Sequence, residues 1–346
     1  MRPAHGAERL FHMLLRFILT WGVASALLTG CVLPLSLSKG QDDTVPPVGA
    51  PGAIPQSGAG TEYYLYAIDP KNSPSSGEVH VYPLAGKHQR EIAYIAHGLP
   101  AAHGIATDRA GNLYVAASSS KEVRVYAPLA RRPFLTLKDR VGTNEPWGVA
   151  VSGTGDVAVT NNITLSPYRP SNVSFFHAGA THPYATFTKP DYEFVWDAYD
   201  DAGNLYVVGS SAHSRAVLSE IVGGGSGRKL QNLHAAGLSR GLGGVQVDAA
   251  GDVVVAQGTQ LSVFAPHSDR LLRTIPFGRE VRAEGLALTP SGTDFYIAND
   301  KLKPAQLWEY HYPDGGKPIN KIHVVPQGHP PIVEVSGLAI GPAGAL

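Results

Sequence analysis

One motif that returns at nearly constant spacing constrains this chain more than any other feature. His103-Gly104-Ile105-Ala106-Thr107 is a short apolar run, Asp108 to Asn112 a tight turn, and Leu113-Tyr114-Val115 the start of an alternating strand. The order recurs from Trp147 to Val159, Trp196 to Val207, Gly244 to Val255 and Gly285 to Ile297, with a last apolar run from Gly337 to Gly341. Aligned starts fall at 104, 148, 196, 244, 285 and 337, which are 44, 48, 48, 41 and 52 residues apart. A period of about 40 to 50 residues is that of a four-stranded propeller blade. The intervals hold the remaining strands, as in Glu122 to Tyr126 with Pro133 to Leu137, and Leu261 to Ala265 with Leu271 to Ile275. Pro128 and Pro266 end the third strands, because proline cannot donate to a ladder.

The two ends complete the count. Thr61 to Asp69, Gly77 to Pro83 and Arg90 to His97 read as second, third and fourth strands, while Gly337 to Gly341 is a first strand with nothing after it. The spacing therefore predicts an all-β, six-bladed β-propeller over residues 61–346, closed by the C-terminal strand pairing into the N-terminal blade. Composition agrees: 39 Gly and 27 Pro suit turns, 15 Tyr and 10 Phe suit half-buried strands, and both disfavour a helical bundle. Basic and acidic residues balance at 28 each, so charge gives no footprint for nucleic acid.

The first thirty residues read as a processing segment. Arg2, Arg9 and Arg16 precede a mostly apolar stretch from Phe17 to Gly30, which is shorter than the ~20 apolar residues that span a bilayer. Its end, Leu28-Thr29-Gly30-Cys31, resembles the lipobox of bacterial lipoproteins, and Cys31 is the only cysteine in the chain. The resemblance implies cleavage before Cys31 and attachment of diacylglycerol to its sulfur. The protein is then expected to be exported and held to the membrane through its lipid anchor, at the outer membrane if the source is Gram-negative, since Val32 and not Asp follows. The alternative is an ordinary export signal with an unrelated cysteine. Residues 31–60, with Pro34, Pro46, Pro47, Pro51 and Pro55 among Gly and Ser, read as a flexible tether.

The nucleus Gly-Ile-Ala-x-Asp-x-x-Gly-Asn-Leu-Tyr-Val resembles NHL repeats and the six-bladed superfamily that includes SMP-30/gluconolactonase and streptogramin lyase. That resemblance implies sites at one mouth of the central channel. The candidate rim residues there are His103, Trp147, Asn161, Trp196, Glu284, Asn299 and Asp300. Glu284, Asn299, Asp300 and Asn161 bear the oxygens a hard cation such as Ca²⁺ wants, and the resemblance to SMP-30 extends to Glu284-Gly285 and Asn299-Asp300. The other reading is that they shape tight loops. By resemblance to streptogramin lyase, His103 and Glu284 are candidates for a general base and a Mg²⁺ ligand, or else they are solvated rim groups. Trp147 and Trp196 offer flat surface to a ligand or plug the channel. Gly223 to Lys229 has Leu230 where a phosphate loop needs Ser or Thr, and no His-Glu-x-x-His pattern exists. The expected function is a membrane-tethered module that binds a small molecule or a protein, the alternative being a divalent-metal-dependent lactonase or lyase.

Overall fold

The computed structural model describes residues 62–70, 77–84, 89–95, 99–139, 145–162, 171–190, 192–211, 215–227, 229–233, 235, 237–238, 242–278, 281, 283–299, 301–324, 332 and 334–343. Cys31, the export segment, the tether and Asp300 lie outside them. The first blade holds β1 (Tyr63–Asp69), β2 (Glu78–Pro83) and β3 (Ala93–Ile95). The second holds β4 (Ala102–Thr107), β5 (Leu113–Ala117), β6 (Glu122–Tyr126) and β7 (Leu135–Lys138). The third is β8 (Glu145–Val151), β9 (Val157–Asn162), β10 (Asn172–Phe176) and β11 (Ala185–Thr188). The fourth is β12 (Tyr192–Tyr199), β13 (Leu205–Ser211), β14 (Ala216–Val222) and β15 (Lys229–Asn232). The fifth is β16 (Leu242–Val247), β17 (Val253–Gln257), β18 (Gln260–Phe264) and β19 (Leu271–Pro276). The sixth is β20 (Ala283–Leu288), β21 (Asp294–Asn299), β22 (Gln306–His311) and β23 (Asn320–His323), after which β24 (Gly337–Pro342) follows.

Each sheet has four antiparallel strands, and the first is ordered β24-β1-β2-β3. The C-terminal strand pairs along β1 from Tyr63↔Pro342 to Ile68↔Gly337, so the expected six-bladed ring and its closure are both present. Among the described residues no helix is long and apolar enough to cross a membrane.

The core consists of seams between neighbouring blades. Strand alternation sends one set of side chains to each neighbour, so Tyr66 and Ile68 pack with Leu113 and Val115 of the second blade. Leu65, Ala67 and Tyr82 pack instead with Tyr296, Leu307 and Ile322 of the sixth. The repeated turns follow from their side chains. Asp108 Oδ1 accepts from the backbone N–H of Ala110 (2.9 Å) and Asn112 (2.8 Å), and Gly111 takes the left-handed φ of 84° that completes the turn. Asp200 and Asp248 repeat the arrangement, and Asp248 Oδ2 also accepts from the Tyr312 hydroxyl at 2.6 Å.

Two local expectations change. Asn161, Asn162 and Asn299 are the last residues of β9 and β21, so strand alternation, not loop geometry, sets where they point. Gly224–Gly227 is a single helical turn, α1, inside the hairpin between β14 and β15.

Candidate ligand-binding channel

The innermost strands β4, β8, β12, β16, β20 and β24 enclose a cavity of about 260 Å³. At the glycine end of these strands a recurring irregularity is found. Pairing to the second strand slips between Ala102 and Ile105, Pro146 and Gly148, Phe194 and Trp196, Leu242 and Val245, and Ala283 and Leu286. A bulge re-aims the residue it contains. The five bulges hold His103, Trp147, Val195, Gly243 and Glu284, each immediately before the glycine position of the motif.

One residue beyond the motif glycine, the inner strands place Ile105, Val149, Val245, Leu286 and Leu338 at equivalent positions, all 8% exposed or less. The fourth blade has Asp197 there. Asp197 is 8% exposed, lines the cavity, and both its carboxylate oxygens are buried with no hydrogen-bond partner among the described residues. Burial pushes its carboxyl well above the usual carboxylate range, opposed only by its own backbone N–H. The neighbouring strand makes room for it. A methyl group on Gly148 would sit 2.5 Å from both Asp197 Oδ1 and Thr160 Oγ1, so only glycine fits between these two polar side chains. Thr160 donates to Val195 O (2.8 Å) and accepts from Gly148 N–H (2.9 Å), which leaves its hydroxyl engaged with backbone. The blade also replaces the motif glycine by Trp196, which is among the residues lining the same cavity.

Of the candidates from the sequence, the structure brings His103 and Trp147 together. Their rings stack with centroids 3.8 Å apart and planes 9° from parallel. Burial pushes the His103 imidazole down to about 4, so it is neutral at physiological pH. Trp147 Nε1–H is buried and has no acceptor among the described residues. Glu284 occupies the equivalent bulge of the sixth blade and is partly exposed. Asn161 is not brought to this group. It turns into the seam with the second blade, where its amide donates to Asn172 Oδ1 (2.9 Å) and Ser174 Oγ (3.1 Å). Asn299 is fully buried, with Oδ1 accepting from Lys301 N–H at 3.3 Å. Asp300, the remaining candidate cation ligand, lies outside the described residues.

Asp197 was overlooked by sequence reasoning that scored agreement with the motif. The usable signal was disagreement: aligned on the turn residues Asp108, Ser152, Asp200, Asp248 and Thr289, it is the one charged residue in a column of aliphatics.

No family model matches the chain, and no curated protein matches it. Solved structures do resemble it in fold. A chain of a nidogen/laminin complex superposes with a TM-score of 0.62 at 13% identity, over 82% of this chain and 100% of that one. A protein of unknown function from Bacteroides caccae gives 0.58 at 13% identity, over 81% and 99%. A functionally unknown protein from Desulfotomaculum acetoxidans DSM 771 gives 0.53 at 13% identity, over 81% and 99%. Likeness at this identity shows the six-bladed architecture and carries no site residue across.

Proposed function

We propose that this protein is a binding module whose propeller channel takes a small organic amine, with Asp197 as the group that selects it. The observation that carries this reading is a carboxyl group buried in the wall of the cavity with no hydrogen-bond partner among the described residues. An unpaired buried acid is costly to a fold and becomes favourable when a ligand supplies the missing charge and hydrogen-bond donor. Trp196 adds an aromatic face, which attracts cations. At about 260 Å³ the cavity is near the lower limit of ligand pockets, which favours a small molecule over a peptide segment. The metal-dependent lactonase or lyase reading calls for several oxygen ligands converging on the channel. Asn161 and Asn299 spend their side chains elsewhere, which leaves that reading His103 and Glu284 among the described residues. We further propose that the module is exported and held to the membrane by lipid on Cys31, as its lipobox-like sequence implies.

The test uses linear alkylamines, with matching alcohols as neutral controls, titrated against the full chain and followed by thermal shift. Amines should stabilise the protein, and Asp197→Asn should weaken their binding at least tenfold. Burial raises the Asp197 carboxyl, and its ionised form is the one that pairs with an ammonium, so amine affinity should strengthen as pH rises toward neutrality. Equal stabilisation by amine and alcohol, or an unchanged response in Asp197→Asn, would refute the assignment.

A further inference from the structure

A second buried polar cluster lies away from the channel, in the seam where the ring closes. Asp69 pairs with Glu78, and Ala67 with His80, across β1 and β2, so Asp69, Glu78 and His80 share one face of the first blade. That face carries Leu65, Ala67 and Tyr82, which pack against the sixth blade. Asp69 is 3%, Glu78 8% and His80 0% exposed, and one donor atom from each lies within 4.8 Å of the others.

The two nitrogens of His80 distinguish a metal site from an ion pair. Nδ1 lies 3.3 Å from Glu91 Oε1, whose side chain is also buried. This is the carboxylate–histidine pairing that fixes a ligating imidazole from behind. With the proton on Nδ1, Nε2 presents a lone pair to the cluster. Nε2 is buried, makes no hydrogen bond among the described residues, and stands 3.5 Å from Glu78 Oε2. A charge-assisted N–H···O bond would close to about 2.7–2.9 Å. Two ligands bound tetrahedrally at about 2.0–2.1 Å lie roughly 3.3 Å apart. The observed gap fits the second geometry.

We propose that Asp69, Glu78 and His80 bind a divalent transition metal, of which Zn²⁺ is the test case, with Glu91 positioning His80. An imidazole nitrogen among two carboxylates suits zinc or manganese, whereas Ca²⁺ prefers six to eight oxygens. The ligands come from the hairpin that receives the C-terminal strand. Ser336 N–H donates to Ile68 O at 3.1 Å, one residue from Asp69. Metal binding therefore rigidifies the hairpin on which closure depends. The second group of this kind, Asp200, Glu220 and His267, has an ordinary explanation: His267 is exposed and hydrogen-bonds Glu220 Oε1 at 2.7 Å.

The experiment is metal analysis and thermal melting of the full chain, stripped with chelator and then titrated with ZnCl₂ or CaCl₂. One zinc per chain should bind and raise the melting temperature by roughly 5 °C at a hundredfold excess over Kd, with no response to calcium. Asp69→Asn and Glu78→Gln keep side-chain shape and should lose the zinc response, while Asp200→Asn should keep it. If either seam variant fails to fold, Co²⁺ substitution of the unmodified chain decides the matter, since one nitrogen and oxygen ligands give a visible spectrum without thiolate charge transfer. Absence of stoichiometric zinc, a response that survives in both seam variants, or a response lost in Asp200→Asn would overturn the proposal.

Discussion

Asp197 replaces an aliphatic residue in a seam built to hold one, and the replacement sets a pH-dependent penalty on folding. Its folded carboxyl titrates well above the usual range because of burial, whereas in the unfolded chain it titrates as an ordinary aspartate. The folded state therefore holds the proton more tightly. Stability is favoured below the unfolded value and is lost as pH rises from there through the raised folded value. Asp197→Val, matching Val149 and Val245, should stabilise the free protein by on the order of 1–3 kcal/mol at pH 7, the cost of leaving a buried polar group unsatisfied. Melts at pH 7 and pH 4 check this: the gain should shrink at pH 4. A variant less stable than the parent at pH 7 would mean that the native carboxylate has a stabilising partner. At this scale the sequence was only partly legible. His103, Trp147 and Glu284 could be picked out because the motif glycine follows each place where a bulge forms. The stack of His103 on Trp147 could not be read, because it depends on the spacing of two blades 44 residues apart.

Strands and turns were the most legible elements, since alternation of apolar residues and the Asp-x-x-Gly turn are local properties of the chain. Strand ends were less so. Asn161 and Asn299 resemble loop residues by type, yet the ladder continues through both; Asn161 donates to the buried Asn172, while Asn299 Oδ1 accepts from Lys301 N–H in the following loop. The most consequential element is β24, because it supplies the first strand of a blade whose other three strands begin the folded chain. Deleting residues 337–346 removes six paired positions along β1 together with Leu338 and Ala339, both 4% exposed, and so uncovers their packing partners in two different seams. The loss should amount to several kcal/mol of the ~5–15 kcal/mol that holds a typical domain folded. Circular dichroism melts of the truncated and full chains test it. Melting within a few degrees of the parent would show that the ring tolerates an open first blade.

For the whole molecule, the repeat made the architecture readable: a unit of this length cannot bury its own faces, so six of them are stable together as a closed ring. Function was less readable, because the site proposed above lies where the repeat breaks, at Asp197 and Trp196. The anchoring proposal belongs to this scale too. The protein as a whole has no net formal charge, which gives it no electrostatic hold on an anionic bilayer, and stable attachment by acyl chains takes more than one of them. Diacylglycerol on the sulfur of Cys31 would supply two. Serine offers no thiol for the thioether, so Cys31→Ser should move the protein from the membrane fraction to the soluble fraction while leaving the melting of the propeller unchanged. A high-salt wash before fractionation separates lipid anchoring from surface adsorption, since screening at 1 M salt shortens electrostatic reach to about 3 Å. Cys31→Ser protein that still sediments with membranes after that wash, at the parent's level, would refute lipid attachment and leave the uncleaved apolar stretch from Phe17 to Gly30 as the membrane-binding element.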